Sequence, residues 1–154
     1  KIERAFLYSA IIIRTLLEAQ KLSDDVEKHE IEVSKNRPNR NIDRLHRFLD
    51  EDEYDWEHTN LEKVNGRKIC NFILHSYVFS FLFEDSDSII GFCVSSDYDR
   101  NRVLYTINLI DWFEFMNLII TDDVVAIKLQ FNEKYNDYEN IEKKRGKRRV
   151  LKQQ

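Results

Sequence analysis

Apolar side chains at helical spacing mark two stretches of the chain. In the first, they recur every three or four residues, at Leu7, Ala10, Ile13 and Leu17. This repeat places side chains on one face and predicts a helix from Glu3 to Gln20, buried on most sides. Arg14 lies inside this stretch, so we expect it to find a carboxylate or to reach the surface. The same repeat predicts a helix over Leu109–Ile120, with Asn108 as its cap.

The middle of the chain shows two further helical patterns. One is a short amphipathic repeat formed by Ile42, Leu45, Phe48 and Leu49. The other begins at Thr59 and Glu62, whose spacing is that of a capping box, and predicts a long helix that runs to about Phe83. Its second part, from Phe72 onward, is aromatic and partly β-branched, so a strand is the alternative there.

Alternation of polar and apolar residues predicts the strands. Ser88–Ser95 and Arg102–Asn108 flank a polar turn and are typical of an antiparallel hairpin. Val124–Phe131 alternates as a third strand, and His29–Lys35 is predicted to be a short edge strand. From Asn132 onward there are few apolar residues, which favours a polar helix or a disordered segment.

Together these elements predict an α+β fold, with a helix-rich N-terminal half packed on a small antiparallel sheet of about three strands. The chain length of 154 residues is that of one domain. We expect a single domain over 1–140 and a basic, flexible tail over 141–154. The longest nearly apolar stretch, Ile69–Phe83, is shorter than the roughly 18 to 20 residues that a membrane span requires, so we expect no membrane contact.

Charge is distributed unevenly along the chain. Residues 142–154 hold seven Lys or Arg and one Glu, a net +6, so with a total of −4 the remaining residues carry −10. Because nucleic-acid affinity comes mainly from neutralising phosphates, only the tail is a candidate for such binding. The candidate residues are Lys143, Lys144, Arg145, Lys147, Arg148 and Arg149. Alternatively, the tail is a solubilising end or an intramolecular partner for the acidic segment 50–57.

The sequence carries no motif for a metal or a cofactor. Cys70 and Cys93 lie in apolar runs without metal-ligand spacing, which favours reduced thiols and a cytoplasmic setting. Asp97 and Asp99 lack the downstream Gly and Glu of a calcium loop, and the chain has no Gly-rich phosphate loop. We therefore expect no metal and no cofactor.

A polar stripe on the predicted long helix is the candidate catalytic site. Arg67, Asn71 and His75 are spaced by four and therefore share one face of a helix. In one interpretation they line a cleft, where His75 acts as general acid or base and Arg67 or Arg14 holds a phosphate. In the other, His75 and Asn71 are core groups that fix helix packing by hydrogen bonds.

The segment Asn71-Phe72-Ile73-Leu74-His75 resembles the Asn-x-x-x-His half of the motif of HEPN-superfamily proteins. That resemblance implies a helical fold and metal-independent cleavage of RNA. The family pattern places an Arg immediately before the Asn, or four to six residues before the His, whereas this chain has Cys70 before the Asn and its nearest upstream Arg is Arg67. Arg40 and His46, with Asn41 after the Arg, form a second partial match.

Two hypotheses for function follow. The first is a module for contacts with a partner protein or with nucleic acid such as RNA, acting as a homodimer through its aromatic helices. The alternative is a HEPN-like ribonuclease or a catalytically inactive relative of one. Whether the chain is an enzyme stays open at this point.

Overall fold

Helices and antiparallel strands alternate along the chain, in a computed structural model that describes residues 1–50, 52–85 and 88–146. The helices of these residues are α1 (Ile2–Glu18), α2 (Asp24–Glu27), α3 (Gly66–Leu74) and α4 (Leu109–Ile120). The strands are β1 (Glu30–Asn36), β2 (Asn60–Asn65), β3 (Ser76–Phe83), β4 (Ile89–Ser96), β5 (Leu104–Asn108), β6 (Val124–Asn132) and β7 (Asp137–Arg145).

The strands of the described residues form two separate sheets. The larger has five antiparallel strands in the order β2-β1-β5-β4-β3, and the smaller is the β6–β7 hairpin. Because β2 and β3 lie at opposite edges of the larger sheet, α3 is the connection that crosses from one edge to the other.

The predicted arrangement of the α+β fold is wrong. We expected a helix-rich N-terminal half on about three strands, but the N-terminal half itself supplies β1 and β2 to a five-stranded sheet. β1, predicted to be an edge strand, is an interior strand that pairs with both β2 and β5. The β4–β5 hairpin is confirmed, as are helices close to the predicted bounds at α1 and α4.

The long helix predicted from Thr59 to Phe83 is replaced by β2, α3 and β3. The capping residue is Asn65, whose side chain accepts from the backbone N–H of Lys68 at 2.9 Å. The helix ends at Leu74, and the apolar run beyond it is a strand whose side chains alternate between the two sheet faces. A run in which nearly every residue is apolar fits both the 3.6-residue period of a helix and the two-residue period of a strand. The sequence pattern therefore could not distinguish a helix from a strand here.

The predicted amphipathic helix at Ile42–Leu49 is also wrong, since this segment has no helix or strand. The Asp43 carboxylate accepts from the backbone N–H groups of Leu45 and His46, at 2.8 and 3.1 Å. Hydrogen bonds between a side chain and nearby backbone N–H groups compete with the backbone hydrogen bonds of a helix. Leu45 is 80% exposed, so the apolar repeat here does not mark a buried face.

The last strands differ from the prediction as well. Val124–Phe131 is a strand as predicted, but it pairs with β7 and does not join the larger sheet. The segment after Asn132, predicted to be a polar helix or disordered, is β7 as far as Arg145. Residues 147–154 of the predicted tail lie outside the described residues.

The main core lies between the larger sheet and helices α1, α3 and α4. Phe6 of α1 is at its centre, with its ring 5.0 Å from Phe92, 5.2 Å from Phe81 and 6.4 Å from Trp112. The opposite sheet face is covered in part by Ile42, Leu49 and Tyr54, which lie between β1 and β2 in the chain. A smaller cluster there contains Ile42, Tyr54, Val78, Cys93 and Leu104.

Gly66, at the start of α3, is predicted to be intolerant of a side chain. A Cβ at this position would lie 1.9 Å from Cζ of Phe115. That ring is fully buried between His29 and Trp112 and cannot swing aside. Helix propensity alone favours Ala over Gly, yet we expect Gly66→Ala to lower the free energy of unfolding by about 1 to 3 kcal/mol in urea denaturation.

The control is Gly146→Ala, whose Cβ would meet the side chain of Val125 at 2.6 Å. Val125 is exposed and can change rotamer, so this variant should lose much less stability. An unchanged or raised stability of Gly66→Ala would contradict the close packing described here.

Candidate functional site

Arg14, Arg67 and Asn71 come together where α1 packs against α3. Asn71 lies in the last part of α3, and its side-chain oxygen accepts a hydrogen bond from the Arg14 guanidinium of α1. The same guanidinium donates to Glu18, from Nε at 2.9 Å. Arg14 has therefore found a carboxylate, as expected of a charge in an apolar helix. Three of the four predicted site residues thus share one partly exposed polar surface.

The electrostatics of this surface are set by Arg14. Its hydrogen bond and charge hold the pKa of the Glu18 carboxyl below the ordinary value of 4.5, and Arg67 adds to the effect from α3. Glu18 thereby compensates one of the two guanidinium charges. Arg67 is exposed and makes no ion pair within the described residues, so it is free to contact an anion.

His75 lies at the C-terminal end of α3 and is exposed. Its backbone N–H donates to the Asn71 carbonyl at 3.0 Å, and its carbonyl accepts from the N–H of Asp97 at 3.1 Å. The imidazole makes no hydrogen bond to any described part of the chain. His75 is therefore not a core group, and Asn71 is half-buried against Arg14.

Cys70, beside Asn71 in the sequence, is unsuited to nucleophilic chemistry. Burial raises the pKa of its thiol to about 12, although Arg14 and Arg67 act in the opposite direction. The thiolate would be the nucleophile, so this cysteine is a buried apolar group at neutral pH. The chemistry open to this surface is anion contact through Arg67 and proton exchange at His75.

The predicted nucleic-acid residues at the start of the tail are largely engaged within the molecule. Lys143 is only 5% exposed, and its ammonium group pairs with Glu27 of α2. The Arg145 guanidinium lies 3.4 Å from the Asp122 carboxylate and donates to the Thr121 hydroxyl at 2.8 Å. These two charges are therefore poorly placed to bind phosphates.

Lys144 differs from its two neighbours. Its side chain is 62% exposed, and it lies 3.7 Å from Glu142 on the same strand. Lys147, Arg148 and Arg149 lie outside the described residues. The acidic partners seen for Lys143 and Arg145 are Glu27 and Asp122, and neither belongs to the acidic segment 50–57 that we had suggested.

A second polar site was missed from the sequence. It is a cavity of about 400 Å³ beside the paired ends of β1 and β5 and the start of β2. Its lining residues are Lys35, Asn36, Arg37, Asn60, Arg102, Val103 and Tyr105. They come from three segments that are far apart in the sequence. The one local hint of an anion site is the pair of basic residues Lys35 and Arg37 on either side of Asn36.

Apolar side chains are exposed along one face of the β6–β7 hairpin. They are Ile127, Leu129, Phe131 and Tyr138, and Asn140 and Lys143 lie on the same face opposite Leu129 and Ile127. Phe131 and Tyr138 are directly opposite in the register, with ring centroids 5.2 Å apart. An isolated two-stranded sheet is marginally stable in water, so this face is expected to need a further surface.

A second apolar surface lies between α1 and α4. A cleft of about 220 Å³ is lined by Ser9, Ile12, Ile13, Met116, Ile119 and Ile120. At its rim Ile12 and Ile120 are exposed. Contiguous exposed apolar surface of this kind is typical of a contact site.

Comparisons with known proteins give no match, since no family model, curated protein or solved structure is significantly similar to the chain. None of the described helices is both long and apolar enough to cross a membrane. Among the described residues there is also no cluster of three or more His, Cys, Asp or Glu that could hold a metal ion.

Arg14 should control the titration of Glu18. In Arg14→Gln we expect the Glu18 pKa, followed by carboxyl ¹³C NMR, to rise towards its ordinary value of 4.5. Arg67→Gln should raise it less, because Arg67 is the weakest of the interactions that lower it. Since the folded pKa is depressed, the stability from this pair is present above pH 4.5 and is lost as pH falls through the lowered pKa. Equal shifts in the two variants would contradict this geometry.

Lys143 should contribute to stability far more than its neighbour Lys144. Lys143→Met removes the partner of Glu27, and we expect a loss of about 1 to 3 kcal/mol in urea denaturation, less than for a fully buried pair because Glu27 is partly exposed. Lys144→Met removes the same charge from an exposed site and should cost no more than about 0.5 kcal/mol. If the two losses are equal, β7 does not dock on α2 as described.

Proposed function

We propose that this chain is a protein-interaction module that works as a homodimer. In the proposed dimer, the apolar face of the β6–β7 hairpin of one copy packs into the α1–α4 cleft of the second copy. The observation that carries the proposal is the row of exposed apolar side chains on the hairpin, of which Leu129 is 56% and Tyr138 64% exposed.

The apolar face of the hairpin and the α1–α4 cleft are complementary in shape and polarity. The hairpin offers large side chains such as Phe131, and the cleft offers a concave apolar surface between Ile12 and Ile120. In a two-fold dimer each contact is made twice. The apolar area buried in the dimer is therefore twice the area of one hairpin-to-cleft contact. Such a contact would supply the packing that a two-stranded sheet lacks in water.

Charge favours a second copy as the occupant. The segment that follows Ile141 carries +6, while the rest of the chain carries −10. The two parts have opposite net charge, so two copies can attract each other through the basic residues that are not already paired within one chain. A nucleic acid is a weaker candidate, because Lys143 and Arg145 already have carboxylate partners.

A second candidate function is the RNA cleavage implied by the HEPN resemblance. One observation favours it: Arg14, Arg67 and Asn71 share a polar surface, and the exposed His75 lies at the end of the same helix. His75 would act as general acid or base, and Arg67 would hold a phosphate. The family fold is helical, whereas the larger sheet dominates this chain, so the α1–α3 surface alone would carry the activity.

The dimer is tested by sedimentation velocity over micromolar concentrations of the chain. We expect the unmodified chain to sediment as a dimer and the double variant Leu129→Ser/Phe131→Ser as a monomer, because the substitutions remove apolar area from the contact. Ile120→Ser, on the cleft of the other copy, should weaken the dimer as well. Circular dichroism of each variant checks that the fold is kept.

The matched control is Lys128→Ser/Gln130→Ser, two substitutions on the same strand that point to the other face of the hairpin. This variant should remain a dimer. A monomeric unmodified chain, or a control variant that dissociates as fully as the test variant, would refute the proposed contact.

The same samples are incubated with single-stranded RNA without added metal. If the chain is a protein-interaction module, the RNA should not be cleaved. If RNA is degraded, and His75→Ala abolishes the degradation while the fold is unchanged, the nuclease hypothesis replaces the interaction hypothesis. RNA that is bound at low salt but not cleaved, by a chain that stays monomeric, would instead support a nucleic-acid module.

A further inference from the structure

The cavity beside β1, β2 and β5 is built by the register of three strands. Lys35 of β1 lies opposite Asn60 of β2 on one side and Tyr105 of β5 on the other. Directly opposite residues of antiparallel strands point to the same face, so these three side chains form one row. Arg37 follows β1 and Arg102 precedes β5, and both also line the cavity.

Positive charge in this cavity is incompletely compensated. Lys35 shares the Glu62 carboxylate with Lys68, at 2.8 and 2.9 Å, so two cations use one anion. Arg37 and Arg102 form no ion pair in the described part of the chain, but the Tyr98 side chain and, at longer range, the Asp99 carboxylate raise the pKa of Arg102. The Arg102 guanidinium lies 4.5 Å from the centre of the Tyr98 ring, which holds it without neutralising it.

The remaining lining groups are also suited to an anion. Asn60 provides an amide that can donate, and the Tyr105 ring is fixed by stacking on Phe72 at 4.2 Å, with its hydroxyl as a further donor. No Asp or Glu is among the described residues that line the cavity. A volume of about 400 Å³ lies within the usual range of small-molecule sites.

We infer that this cavity binds the phosphate group of a small phosphorylated molecule, held by Arg37, Arg102 and Lys35. Arginine forks bind phosphate oxygens in pairs, which makes arginine the preferred residue for such groups. Besides Asn36, five lining side chains can donate hydrogen bonds, which suits a tetrahedral dianion with three free oxygens better than a carboxylate with two. The long segment 37–59 starts and ends beside the cavity, as irregular segments near binding sites often do.

The inference is independent of the proposed dimer, because its residues belong to neither the hairpin nor the α1–α4 cleft. The test is calorimetric titration of the full chain with glycerol 3-phosphate at constant ionic strength, set with chloride. We expect saturable binding at one site. In Arg37→Gln and in Arg102→Gln the affinity should fall about tenfold or more, since each removes a charge-assisted hydrogen-bond donor.

Arg4→Gln is the matched control, because Arg4 is an exposed arginine on the first turn of α1 with no ion pair among the described residues. Its affinity should equal that of the unmodified chain. Both cavity arginines are also exposed, so the fold should tolerate their replacement. In ¹H–¹⁵N spectra, the backbone signals of Asn36, Asn60 and Val103 should shift with glycerol 3-phosphate and not with chloride.

Three results would overturn the inference. The first is no saturable binding of glycerol 3-phosphate at millimolar concentration, and the second is an equal loss of affinity in Arg4→Gln. The third comes from a 5′-phosphorylated single-stranded RNA decamer, titrated in parallel. If only the decamer binds, and Arg102→Gln weakens it, the phosphate belongs to a nucleic-acid end and not to a small molecule.

Discussion

The rest of this structure depends on the packing of Phe6 against aromatic rings from three other elements. Phe6 belongs to α1, Phe81 and Phe92 to neighbouring strands of the sheet, and Trp112 to α4. Ring pairs at these separations add to the burial of their large apolar area. This contact fixes α1 and α4 on the same sheet face, and their position in turn creates both the α1–α4 cleft and the surface that α1 shares with α3.

That helical layer is confined to the larger sheet and leaves the β6–β7 hairpin without apolar cover on its outer part. At its base the hairpin is held by polar contacts, through Lys143 to α2 and Arg145 to Asp122. Towards its tip, Phe131 and Tyr138 face outward. The hairpin is thus anchored by charge at one end and offers apolar surface at the other, which is the arrangement expected of an arm that binds another chain.

The molecule has three basic regions, around Lys143, around Arg14 and in the cavity beside β1 and β5. They differ in how far nearby carboxylates compensate their positive charge. Lys143 is neutralised by Glu27, and Arg14 is neutralised by Glu18 next to the exposed Arg67. Of these regions, as far as the structure describes them, the cavity beside β1 and β5 has the least compensated positive charge, because Lys35 shares one carboxylate with Lys68 and Arg37 and Arg102 form no ion pair. The strongest candidate for anion binding is therefore a site built by strand register, and not the basic run that dominates the sequence.

The sequence by itself determined the elements that depend on local interactions. The apolar repeats predicted α1 and α4, Asn108 was predicted to cap α4 and accepts from the N–H of Ile110 at 2.8 Å, and alternation predicted the β4–β5 hairpin. The tertiary structure decided the rest. The apolar run that contains β3 suits a helix or a strand, and pairing with β4 selects the strand. The partners of Lys143 and the residues around Arg102 come from distant segments, which no local pattern could bring together, because strand order and register arise only when the whole sheet assembles.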